Sequence, residues 1–179
     1  MSGPIIRVGF FGKLPSRGDF VQMRLSRSAI TAWDQWLQAV MPAAQAGLGE
    51  RWAEVWQAAH GWRFALGSGV CGPRPLTGVW LPSTDRVGRT FPLMIAAEAA
   101  TMHDAFLDAA ECIGADAVRG TMTPDMLARR LGSAPRALPT VRAAGNTAGR
   151  WWRRGRDPGE ELRSDAMPDA DAFVRMLTP

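Results

Sequence analysis

Tyrosine is absent from this sequence, and lysine occurs once, at Lys13, against twenty arginines. Cysteine and histidine are nearly as scarce: Cys71 and Cys112, His60 and His103. Two distant cysteines without metal-type spacing argue against a disulfide framework and suit a reducing cytoplasm, with both thiols expected to be buried. Two isolated histidines leave too little material for a zinc site. They also supply no convincing base for a Ser-His-Asp triad, because His60 closes a helix, His103 opens one and neither has a G-x-S-x-G context. Long apolar runs are missing as well. The N-terminal run at 5–11 is broken by Arg7 and Gly9 and is too short for a signal peptide. Nothing approaches the roughly 20 apolar residues of a membrane span.

What is present suits one domain over residues 1–179, with 46% apolar residues to fill a core. The net charge of +4 does not by itself point to nucleic acid. The arginines are dispersed and alanine is abundant, a pattern of GC-rich coding. The exception is Arg150, Arg153, Arg154 and Arg156 around Trp151 and Trp152, read here as the solvated rim of a strand pair.

Along the chain, residues 4–12 read as a strand apolar enough to be covered on both faces. A helix follows, capped by Ser26 or Ser28, with Ile30, Trp33, Leu37 and Val40 on one face and Pro42 as a kink or stop. Trp36 leans off that face, so either Trp33 or Trp36 could be a partly exposed anchor. A short helix carries Trp52, Val55 and Trp56. Four short apolar runs, "GWRFALG", "GVCGP", "LTGVWLPS" and "TFPLMIAAEA", then predict an antiparallel meander. Helices are expected over 103–118, with Phe106, Leu107, Ala110, Ile113 and Val118 inward, and over 123–131, where Thr123 caps and Pro124 takes the first position. Two strands around Asp157-Pro158-Gly159 and a last helix opened by Pro168 complete the chain, and 133–149 is the candidate mobile segment. If Trp151 and Trp152 lie in a strand they face opposite sides.

Two polar loops stand out. "GFFGKLPSRGDF" (9–20) lacks the spacing of a P-loop, with Leu14 where the hydroxyl should be, and its glycines miss G-x-G-x-x-G. It leaves Lys13, Ser16, Arg17 and Asp19 after a central strand, where ligands gather in open α/β sheets. One reading makes this a small-anion or phosphometabolite site, in a sensor or an enzyme, with Asp19 or Asp85 as acid or base. The blander reading is that Lys13, Arg17 and Asp19 satisfy one another and the end of the first helix. "LPSTDRVGRTFPL" (81–93) places Ser83, Asp85, Arg86 and Arg89 between apolar strands, where buried charge must pair or reach solvent. Asp85 with Arg86 or Arg89, and Asp19 with Arg17, are expected to form a network joining the loops, fixing strand register or binding a partner.

"GFFGKLPSRGDFV", "WDQWLQ", "WRFALGSGVCGP", "GVWLPSTDRVGRTFPL" and the ending "MPDADAFVRML", in that order, resemble the TagF (ImpM) family of type VI secretion-associated proteins. The matching motif residues are Gly12, Lys13, Pro15, Ser16, Gly18, Asp19 and Phe20, then Pro82, Ser83, Asp85, Arg86, Gly88, Arg89 and Pro92. The resemblance implies a single α-β-α sandwich with a central mixed, largely antiparallel sheet flanked by helices. It also implies a cytoplasmic, non-enzymatic, post-translational negative regulator that binds a forkhead-associated-domain component. No cofactor, metal, catalytic residue, nucleic acid or membrane insertion goes with it. Some relatives carry a fused PP2C-type phosphatase domain, and no phosphatase metal motif occurs in these 179 residues.

Overall fold

The computed structural model describes residues 6–135, 149–153 and 160–178. The apolar first run forms β1 (Val8–Gly12), which turns back into the short edge strand β2 (Val21–Met23). Helix α1 (Arg27–Leu48) follows, and a 3-10 turn at Gly49–Arg51 leads into α2 (Trp52–Ala58). Three strands come next: β3 (Trp62–Leu66), β4 (Leu76–Leu81) and β5 (Leu93–Ala97). Helices α3 (Asp104–Arg119) and α4 (Pro124–Gly132) precede β6 (Gly149–Trp152), β7 (Glu161–Ser164) and α5 (Ala170–Leu177).

The strands form one sheet in the order β2-β1-β5-β4-β3-β6-β7. Every neighbouring pair is antiparallel, so no parallel ladder supplies the expected mixed character. Alternation along the strands sorts side chains to two faces. Phe11, Phe64, Trp80, Met94 and Trp151 join the side chains of α1, α2 and α5 in one core. Phe10, Val79, Leu81, Ile95 and Ala97 meet α3 and α4 in the other. The result is a three-layer α-β-α sandwich. Trp151 and Trp152 do point to opposite faces, with Trp151 fully buried and Trp152 packed against the edge of the second core.

Several local expectations change. Ser26, not Ser28, caps α1, its Oγ accepting from Ala29 N–H at 3.2 Å. The helix continues through Pro42 rather than ending there. Trp36 is no exposed anchor: it is buried, and its indole N–H donates to the Pro168 carbonyl at 2.7 Å. Phe173 of α5 packs edge-on against its ring. The run "GVCGP" is a loop, because Gly69 and Gly72 take φ of 89° and 91° and the Gly69 N–H closes onto the Gly72 carbonyl. Cys71 is buried, and burial pushes its thiol up to about 12, but Cys112 is exposed on α3. Asp169 rather than Pro168 opens α5, accepting from Ala172 N–H. Arg154, Arg156, the Asp157-Pro158-Gly159 turn and nearly all of the 133–149 segment lie outside the described residues.

Candidate functional site

The two polar loops leave the same end of the sheet, one after β1 and the other between β4 and β5. Gly12 is the point of closest approach. Its φ is +142°, and a Cβ there would lie 2.0 Å from the Pro92 carbonyl oxygen, so only glycine lets the two segments touch. The "GFFG" glycine is thus a packing requirement, not a phosphate cradle.

Beyond Gly12 the loops are stitched by polar contacts in the interior. Lys13 Nζ lies 3.0 Å from Asp85 Oδ2, the lysine side chain 9% exposed and the carboxylate wholly buried. Asp85 Oδ1 accepts from the backbone N–H of Val87 and Arg89 at 3.0 and 2.9 Å, and Oδ2 also accepts from Arg89 Nε at 2.6 Å. Burial alone would push the Asp85 carboxyl up. Lys13, with the amide and guanidinium of Arg89 and the Val87 amide, reverses this and holds it well below the usual carboxylate range. Gly88, at φ +89°, donates to the Asp85 carbonyl and lets the turn close. Ser83 Oγ donates to the Lys13 carbonyl at 2.8 Å, and the Ser83 carbonyl accepts from the Trp56 indole at 3.0 Å. Arg86 N–H donates to the Arg17 carbonyl, Arg89 Nη2 to that of Gly18, and Ser16 Oγ to that of Met122.

The loops are therefore joined, but through Lys13–Asp85–Arg89 rather than through Asp85–Arg86 or Asp19–Arg17. Lys13 turns inward to Asp85 instead of serving Asp19, so its ammonium is not presented to a solvent anion. Neither histidine is hydrogen-bonded to Ser83 or Asp85. His103 accepts from Ala105 N–H at the start of α3. Among the described residues no three His, Cys, Asp or Glu side chains cluster as metal ligands, and no helix is long and apolar enough to cross a membrane.

What the interior network carries on its outside is an exposed aromatic. Phe20 is 50% exposed, yet its ring is fixed from three sides. It stacks on Phe11 at 5.5 Å, meets Phe91 edge-on at 4.8 Å, and has Lys13 Nζ 5.3 Å from its centroid. Arg17, Asp19, Gln22, Arg86 and Pro124 surround it in a shallow depression. Arg17, Asp19 and Arg86 are exposed and have no ion-pair partner among the described residues. The large hydrophobic residues exposed among the described residues are Phe20, Val87 and Met126. Of these, Phe20 lines the depression itself.

Two features were not read from the sequence. Arg63, the second residue of β3, is buried and donates to Asp108 Oδ1 at 2.6 Å and to Glu111 of α3. Burial opposes its charge, and the two carboxylates more than offset this and hold its pKa above the usual value. The signal was an arginine opposite the Trp62, Phe64 and Leu66 face of a central strand, with acids at i and i+3 on the covering helix. The second feature is a cavity of about 680 Å³ behind the Pro82–Thr84 corner, bounded by the α2–β3 connection and the last turns of α3.

A crystal structure of PA0076 from Pseudomonas aeruginosa PAO1, solved at 2.05 Å, superposes with a TM-score of 0.81 at 29% identity, over 96% of this chain and 94% of that one. Curated proteins gave no match. A family model described as the TagF N-terminal domain, type VI secretion system-associated, matches residues 9–132, which include β1 through α4 and both signature loops. The chain belongs to the TagF N-terminal domain family of type VI secretion-associated proteins.

Proposed function

We propose that this protein is a non-enzymatic, post-translational negative regulator of a type VI secretion system. It acts in the cytoplasm by binding a forkhead-associated-domain component of that apparatus. The observation that carries the reading is Phe20, half exposed and held in one orientation by Phe11, Phe91 and Lys13. An aromatic fixed before binding loses little entropy on docking, which is what an interface anchor needs. Arg17 and Arg86 flank it with guanidinium groups that have no ion-pair partner among the described residues. An acidic face on the partner would meet them and be drawn in faster by the net positive charge. Structural use of the motif lies inward, at Lys13, Ser83, Asp85 and Arg89, and partner use lies outward.

Titration calorimetry against the forkhead-associated-domain protein of the same secretion cluster tests this. Saturable binding at micromolar affinity or tighter is expected. Arg17→Glu and Arg86→Glu should each weaken it at least about tenfold, the scale of a lost charge-assisted contact, with melting temperature unchanged. Absence of heat from folded, monodisperse partners overturns the choice of partner. Binding indifferent to both reversals overturns the choice of surface.

A further inference from the structure

We infer that the cavity behind the Pro82–Thr84 corner is a binding site for a small amphipathic anion, one with an aromatic or aliphatic body and a carboxylate, phosphate or sulfonate head. The cavity sits where β3 begins and β4 ends, at the same end of the sheet as the signature loops. Its volume of about 680 Å³ is within the range that takes a drug-sized molecule.

The lining explains the chemistry. Trp56, Leu81, Pro82, Ala115 and Val118 supply apolar walls. Of the charged groups, Glu111 is committed to Arg63, and Glu160 to Arg153. Arg153 also donates to the Met176 carbonyl and lies over the Trp62 ring. That leaves Arg119 and His60, each exposed at the cavity and without a polar partner among the described residues. Arg119 stands in the last turn of α3, where a cation also suits the helix dipole. That role requires only its charge nearby and leaves the donors of the guanidinium available. The acids lining the cavity each face an arginine, and among the described residues that line it the titratable side chains left without a polar partner are Arg119 and His60, so an anionic head with an apolar body is the complementary ligand. The corner that forms the cavity wall, Pro82 to Thr84, is the stem of the loop carrying Asp85 and Arg86.

The probe is 8-anilinonaphthalene-1-sulfonate titrated into the full chain, with the uncharged N-phenyl-1-naphthylamine beside it. Saturable one-to-one binding of the sulfonate is expected. Arg119→Glu should weaken the sulfonate at least about tenfold, the scale of one charge-assisted hydrogen bond, and leave the amine unchanged. Ala115→Trp should exclude both, and Arg17→Glu neither. Near-ultraviolet circular dichroism checks that each variant is folded; should Ala115→Trp unfold, Val118→Trp replaces it. No saturable binding, or sulfonate binding insensitive to both Arg119→Glu and the cavity-filling change, overturns the site. Equal loss of sulfonate and amine in Arg119→Glu overturns its anionic character.

Discussion

The pair Lys13–Asp85 decides how the loops behave, and its two members are not equivalent. Removing the lysine leaves Asp85 with the Arg89 guanidinium and two backbone N–H donors. Replacing the carboxylate by a neutral amide leaves the Lys13 charge buried without its counter-ion, beside an aromatic ring at 5.3 Å. Breaking a buried ion pair from one side costs about 3–5 kcal/mol. Asp85→Asn should fall in that range and Lys13→Met clearly below it, as read from urea denaturation. The reverse order would mean that Arg89, whose side chain is largely exposed, does not hold the carboxylate. The pH dependence follows from the same geometry. The folded carboxyl titrates below its unfolded value of about 3.9, so the unfolded chain takes up a proton first as pH falls. Asp85 therefore contributes fully above about pH 5, the range where the unfolded carboxyl is ionised, and its contribution is lost as pH drops toward the folded value. The acid side of the stability curve should be shallower in Asp85→Asn than in the parent.

At the scale of elements, the start of α1 separates two serines that the sequence leaves equal. Ser26 caps through Oγ and also donates its own N–H to Glu98 Oε1 at 2.7 Å, while the exposed Ser28 hydroxyl is hydrogen-bonded to Ser26 Oγ. Ser26→Ala should cost about 1 kcal/mol and Ser28→Ala less than about 0.5 kcal/mol, measured by chemical denaturation. Elements with strong local signals were legible in this way: the Thr123-Pro124 start of α4, the alternation of β3, the inward stripe of α3. Those decided at a distance were not. Trp36 reads as off-face until Phe173 of α5, more than 130 residues on, covers it and the Pro168 carbonyl just ahead of that helix accepts its N–H. "GVCGP" has strand composition, and only backbone at positive φ makes it a loop. Of the candidate site, the two loops and their junction were readable from charge placed between apolar strands. Which charge pairs inward was not, since a lysine and an aspartate 72 residues apart carry no local mark. The cavity had no signal, because His60, Arg119 and Arg153 come from separate segments.

For the molecule as a whole, the sheet is shared property. β4 sends Trp80 to one core and Val79 and Leu81 to the other, and β5 divides Met94 and Ala96 from Leu93, Ile95 and Ala97 in the same way. Neither layer of helices can leave without exposing a sheet face that is apolar along its whole centre, a loss of about 25 cal/mol for each Å² of apolar surface. The tryptophans are distributed unevenly: Trp33, Trp36, Trp56, Trp62, Trp80 and Trp151 all lie in the α1 core. Their fluorescence reports on one side of the sheet, whereas helical circular dichroism also counts α3 and α4 on the other. The two signals should nonetheless melt together, with one midpoint and one slope, because the common sheet makes the unfolding unit the whole sandwich. A helical transition preceding the fluorescence change would show that α3 and α4 detach first. The cavity beside α3 would then belong to the less stable layer, and a bound anion would raise the earlier midpoint alone.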